Sequence, residues 1–216
     1  MTRAVIFDLD DTLLDSGGIR KFLEIAVEFG LPLEGVEKTV RQYWGISGVE
    51  IVVMCWPEMD PHVFYARWAF CEQGKRTPLF AGVIEALRHF RERGILMAAL
   101  SNRDSKSGHH QLDLNGITHF FHCVDGVGRS NYPKPHPRSM DSILGVLWDY
   151  GICDKKEILF VGDTVTDAIA ARNAGVPFAG VLSGGTPPES FRRTGISDER
   201  ILPSVACLPE FLSLSE

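Results

Sequence analysis

The sequence predicts an α/β fold, a doubly wound parallel sheet of Rossmann-like form with a small α-helical domain inserted into it. Five short apolar runs, Ala4–Phe7, Ile95–Leu100, Phe121–Val124, Ile158–Val161 and Pro177–Leu182, lack polar alternation. Such runs mark strands buried on both faces, as in parallel sheets. Helical stripes separate them, which is the βαβ rhythm. The first and fourth runs end abruptly in carboxylates, at the strand ends where open α/β sheets bind ligands.

The first run continues as Asp8-Leu9-Asp10-Asp11-Thr12, three acids within four positions. Carboxylates at the mouth of a buried strand repel one another and resist desolvation, so they imply a cation, a proton or a catalytic use. Leu159-Phe160-Val161-Gly162-Asp163, with Asp167 four residues later, repeats the pattern. Two such clusters point to a divalent metal site. Between the strands, Val83, Leu87 and Phe90 form one helical stripe, closed by Gly94 with Arg91 and Arg93 near its C-terminus, as helix ends favour. Met140, Ile143, Leu144, Leu147 and Trp148 form another, and Thr166 to Ala174 a third that stops at Gly175-Val176-Pro177.

Residues 16–81 break the rhythm. Stripes at Ile19, Phe22, Ala26 and Phe29, at Val36, Val40, Tyr43 and Trp44, and at Phe64, Trp68 and Cys71 predict helices, with one strand-like stretch at Val49–Val53. Ser16-Gly17-Gly18 and the stretch from Gly74 to Gly82 around Pro78 are the expected hinges. The expected organisation is a core of residues 1–15 and 82–216 and a helical cap of residues 16–81. The cap would sit over the strand-end acids and close on them.

At 216 residues with 44% hydrophobic and 23% charged side chains, composition is that of an ordinary globular protein. A net charge of −6 offers no long-range field for nucleic acid. No apolar run approaches the ~20 residues of a membrane span, and the immediate entry into a strand leaves no room for a signal-peptide core. Five cysteines without CxxC pairing indicate reduced thiols. These readings lead to an expectation of a cytoplasmic protein. His109, His110, His119 and His122 match no strong metal-ligand spacing.

Four patterns fall in order at strand ends: Asp8-Leu9-Asp10-Asp11-Thr12, Leu100-Ser101-Asn102, Lys134-Pro135-His136-Pro137, and Gly162-Asp163 with Asp167. Together they resemble the haloacid dehalogenase superfamily over the whole chain, in its phosphatase branch with a helical C1-type cap. The resemblance implies magnesium-dependent hydrolysis of a small phosphorylated metabolite. It makes Asp8 the nucleophile that forms an aspartyl-phosphate and Asp10 the acid/base. Mg2+ would be held by Asp8, Asp163 and the Asp10 carbonyl, with Asp167 as ligand or supporting acceptor. Ser101, Asn102 and Lys134 would bind the phosphate, and Thr12 would hold the loop and orient Asp10.

Asp10 is expected to start protonated because neighbouring carboxylates would raise its pKa. Asp11 stands where many relatives carry glycine and reads as a solvated helix-start acid. Dehalogenases lack the acid/base two residues after the nucleophile, so Asp10 selects phosphate esters, with phosphoglycolate the substrate such relatives suggest. A sugar phosphomutase of the same superfamily is the enzymatic alternative. A non-catalytic phosphate-responsive signalling module is the other, and the inserted segment and Asp10 argue against it. In the cap, Tyr43, Trp44, Trp56, Tyr65 and Trp68 are expected to be mainly core, and Arg20, Lys21, Arg41 and Arg67 mainly solvated.

Overall fold

A computed structural model describes residues 1–45, 48–72, 74–127 and 132–214. Its centre is a parallel sheet of β1 (Ala4–Phe7), β2 (Leu96–Asp104), β3 (Cys123–Val127), β4 (Ile158–Gly162), β5 (Phe178–Val181) and β6 (Ile201–Leu202). The order is β3-β2-β1-β4-β5-β6, the doubly wound arrangement in which the winding reverses between β1 and β4. Phe7 pairs with Ala99 on one side and Val161 on the other. The chain therefore leaves β1 and β4 side by side at the same edge.

Helices cover both faces. The first four are α1 (Gly18–Glu28), α2 (Val36–Tyr43), α3 (Gly48–Cys55) and α4 (Pro61–Glu72). The rest are α5 (Val83–Glu92), α6 (Ser105–Leu114), α7 (Asp141–Asp149), α8 (Val165–Ala174), α9 (Pro188–Arg193) and α10 (Leu208–Leu214). Val5 and Phe7 face a core completed by Val83, Leu87 and Phe90 of α5, Leu112 of α6 and Leu208 of α10. Ala4 and Ile6, on the opposite side of the same strand, pack with Ile143 and Leu147 of α7, Ala168 and Ala171 of α8 and Phe191 of α9. The period of two along β1 divides the two cores.

Helices α1 to α4 form their own apolar cluster from Phe22, Ile25, Val40, Ile51, Val52, Trp56 and Phe64. Phe64 and Trp56 stack at 5.9 Å between ring centroids, and Phe22 lies 4.8 Å from Phe64. The chain enters and leaves this unit through adjacent strands of backbone: Leu14 bridges Leu79 in antiparallel fashion, and the Asp15 N–H donates to the Pro78 carbonyl.

Three expectations change. Val49–Val53 is helical, within α3, because only Ile51 and Val52 are buried there and both face the helical cluster rather than a sheet. Phe29 lies at the end of α1 and is 39% exposed, and Trp148 is 66% exposed. Both extend an apolar stripe past the width that packing covers. Strand β2 runs four residues beyond Leu100, through Ser101, Asn102 and Arg103 to Asp104. Polar residues hid that extension and α6 from a pattern reading, and β6 is only two residues long.

Truncating Phe64 to Ala removes a ring that is fully buried in the smaller cluster. It should cost about 3–5 kcal/mol of stability, read from urea unfolding followed by circular dichroism.

Candidate active site

Lys134 organises the cluster. Its ammonium donates to Asp8 Oδ1 and to Asp167 Oδ1, each at 2.6 Å, with its side chain 4% exposed. Asp8 follows β1, and Asp167 stands in the first turn of α8 after β4. Asp167 is fixed from a second side, because its Oδ2 accepts the Thr164 N–H at 3.0 Å and the Thr164 hydroxyl at 2.6 Å in a capping box. Thr-Val-Thr-Asp at the start of an apolar run thus folds locally into a helix N-terminus that also holds an acid toward the site.

Asp163 accepts a hydrogen bond from Thr12 Oγ1 at 3.1 Å, while its Oδ2 is buried with no hydrogen-bond partner among the described residues. Thr12 therefore steadies Asp163, and not Asp10 as the sequence suggested. Its side chain lies in the turn after β1 and the nearest strand-end acid is the one from β4. Oxygens of Asp8, Asp163 and Asp167 lie within 4.8 Å of one another.

One ammonium faces three buried carboxylates. Burial works to lower the Lys134 pKa, but Asp167 and Asp8 outweigh it and hold the group charged, above the ordinary lysine value. The surplus falls on the acids. Burial pushes Asp8 up to about 7 despite Lys134, with Asp167 and Asp10 adding to the rise. Asp163 is pushed well above the ordinary carboxylate value by burial and then by Asp8, Asp167 and Asp11. A divalent cation relieves this imbalance, and the partnerless Asp163 Oδ2 is an acceptor of the hard oxygen type that magnesium takes. The residues present fit such an ion.

Asp10 is placed differently from expectation. Its two oxygens are gripped by Arg103, Nε to Oδ2 at 2.9 Å and Nη2 to Oδ1 at 2.5 Å. Both oxygens of the carboxyl group are thus held in the paired geometry of a guanidinium fork. The neighbour that counts for Asp10 is thus a cation and not the acids adjacent in sequence.

Asp11 is also corrected: it is 5% exposed rather than solvated. It does start a helix, accepting from Ser16 Oγ at 2.7 Å, Gly17 N at 3.0 Å and Gly18 N at 3.3 Å, so it ties the β1 loop to the entry of α1. Its φ of 58° lies in the left-handed region. Glycine occupies that region freely, and Asp tolerates it through such local hydrogen bonds.

Ser101 and Asn102 lie at the end of β2 as expected. The Asn102 side chain brackets the Lys134 backbone, accepting from its N–H at 2.8 Å and donating to its carbonyl at 2.9 Å. Ser101 is buried, and its Oγ accepts from the Arg103 N–H at 3.0 Å.

A cavity of about 1720 Å³ opens above these residues, lined on the core side by Asp8, Asp10, Ser101, Asn102, Arg103 and Lys134, and on the helical side by Trp44, Tyr65, Trp68, Phe70 and Glu72. Trp56 instead fills the helical core and donates its indole N–H to the Pro32 carbonyl. Arg41 pairs with Glu37 and Arg67 with Glu28, both at exposed positions. Lys21 pairs with Glu72 and lies 5.4 Å from the Trp68 ring centroid.

Sequence reading missed Arg103, Gly184 and Ser183. Gly184 packs so closely on Asp163 and Asp11 that a Cβ there would collide with both, and Ser183 Oγ donates to the Asp11 carbonyl at 2.7 Å. An arginine directly after Ser101-Asn102 was the available signal. The Ser183-Gly184 loop follows β5 and gave none.

A family model described as haloacid dehalogenase-like hydrolase matches residues 5–181. A phosphoglycolate phosphatase of Rhodobacter capsulatus is 29% identical over 225 residues, covering 99% of this chain and 95% of that protein. One of Yersinia pestis is 30% identical over 200 residues, covering 84% and 82%. In fold, the chain is similar to a haloacid dehalogenase-like family hydrolase of Streptococcus pneumoniae, with a TM-score of 0.79, 20% identity, and 100% and 99% coverage.

Two pH-linked consequences follow from the surplus negative charge. Asp8 and Asp163 bind protons more tightly folded than unfolded, so the stability they contribute is present below about pH 4 and is lost as pH rises, for Asp8 through about 7. In EDTA the melting temperature should fall between about pH 5 and 8. Magnesium should raise it more at the upper pH than at the lower. Asp163→Asn should flatten the pH slope and abolish most of the magnesium response, as scanned by differential fluorimetry.

Proposed function

Because the chain belongs to the haloacid dehalogenase-like hydrolases and is a phosphatase, we propose that it hydrolyses a small phosphomonoester by attack of Asp8 on phosphorus, assisted by magnesium. The observation that carries this reading is the buried set in which Lys134 joins Asp8 to Asp167 while Asp163 keeps an unpartnered oxygen. A structural ion-pair cluster has no need of a surplus of buried acid, whereas phosphoryl transfer needs a nucleophile, a cation site and a fixed ammonium together.

Asp8 and Asp163 would hold the ion, with the Asp10 carbonyl, and Asp167 supports Lys134. When bound, magnesium supplies positive charge against the repulsion between an anionic attacker and an anionic ester. Lys134 supplies the same from the opposite side and fixes the orientation of Asp8. An Asp8 oxygen forms a bond to phosphorus as the ester oxygen departs. Asp10 gives that leaving oxygen a proton. In the second half-reaction Asp10 takes a proton from the water that attacks phosphorus, and the Asp8 carboxylate is released with inorganic phosphate. Ser101 and Asn102 hold phosphate oxygens. The helical unit of residues 16–81 acts as a cap, its Trp44, Tyr65 and Trp68 forming the roof of the cavity and keeping bulk solvent from the ester while it binds, with one water admitted for the second half-reaction.

Phosphoglycolate is the proposed substrate, on the strength of what the relatives are named for. The reading includes action on a soluble metabolite in the cytoplasm. Among the described residues no helix is long and apolar enough to cross a membrane.

Asp8→Asn should remain folded by circular dichroism and lower phosphoglycolate turnover by at least about 10³-fold, measured as phosphate release with magnesium. EDTA should abolish the parent's turnover and added magnesium should restore it. An undiminished rate in Asp8→Asn would overturn the assignment.

A further inference from the structure

Resting on the phosphomonoesterase reading, we propose that Arg103 is a specificity-determining residue: its guanidinium receives a second anionic group of the substrate and in doing so frees Asp10 for proton transfer. Arg103 stands on the polar extension of β2 with a side chain 13% exposed. Its Nη1 donates to Ser107 Oγ of α6 at 3.2 Å, and its Nη2 approaches Glu72 Oε2 of α4 at 3.5 Å. The guanidinium therefore sits on the seam between the core and the helical unit, against the cavity.

A carboxyl gripped at both oxygens cannot also offer one to a leaving-group oxygen. Each turnover requires the Asp10–Arg103 fork to open. Opening it without replacement strands a largely desolvated guanidinium, which is costly. Glu72 does not replace the fork, because its Oε1 is paired with Lys21 and only its Oε2 stands near Arg103, at 3.5 Å. An anion carried on the substrate does take it over, and a neutral tail does not. On the core side beside Arg103, Lys106 and His110 of α6 add basic groups and Asp104 Oδ1 accepts the Ser107 N–H at 3.1 Å, while the acids Glu50 and Glu72 line the helical side. Carboxylate and phosphate both present the paired oxygens that a guanidinium fork selects.

The test compares three magnesium-supported esters of one two-carbon frame: phosphoglycolate with a carboxylate tail, ethylene glycol bisphosphate with a phosphate tail, and hydroxyethyl phosphate with a neutral one. The readout is the ratio of kcat/KM for each anionic ester to that for the neutral ester, in the parent and in Arg103→Gln and Arg103→Lys. In Arg103→Gln at least one ratio should fall by about 100-fold, with a higher KM for that ester. Arg103→Lys, which keeps the charge but not the fork, should recover part of it. Whichever ratio falls names the tail. Should Arg103→Gln not fold, the same ratio is read in Arg103→Lys, where about a tenfold fall is expected. Ratios within about threefold of the parent in the folded variants would overturn the assignment of Arg103 while leaving the phosphatase reading intact. A parent that hydrolyses none of the three esters would overturn both.

Discussion

The contact on which the rest depends is the bifurcated ion pair from Lys134 to Asp8 and Asp167. Three chain segments distant in sequence meet there, from β1, from the loop before α7, and from the start of α8. Removing a partner from a buried pair of this kind typically costs 3–5 kcal/mol, because a desolvated charge is left behind. The ammonium must therefore be held from its own backbone as well. Asn102 does this by bonding both the N–H and the carbonyl of Lys134. The end of β2 thus positions a residue of another loop.

The same pair sets the charge state of the site. Lys134 offsets one carboxylate of three, so the cluster is stable only with protons or cations added. A site with that imbalance is a receptor for positive charge at neutral pH and becomes self-sufficient only as acids protonate. The topology makes the imbalance unavoidable. The winding reverses between β1 and β4, which brings two acid-ended strands into adjacent register.

Around this fixed centre the remaining polar residues divide into those facing the core and those facing the helical unit. Asp11 and Ser183 lock the loop after β1 beneath the entry to α1. Asp10, Arg103, Glu72 and Lys21 run as a chain of opposite charges from the core across the seam. Opposite charges at a seam between two units can change partners as a ligand enters between them, whereas those sealed in the core cannot. The first group is built to stay and the second to rearrange.

Most of the sheet was legible in the sequence because strands buried on both faces must be continuously apolar. The site-bearing ends of β1 and β4 were legible because acids there contradict burial. Asp8, Asp163 and Asp167 could be nominated on that ground and Lys134 from the family pattern, and tertiary structure brings them within a few ångströms of each other. Where local and tertiary forces diverge, the reading lost its hold. The β-branched run in α3 is helical because the neighbours it packs against are helices. Thr12 turned to Asp163 and Asp10 to Arg103 because each bonded across space rather than along the chain. Sequence by itself determined which residues resist burial and hence where chemistry would concentrate. Only the tertiary structure decided their partners, because a side chain's charge partner is set by distance and dielectric in the folded protein and not by separation in the chain.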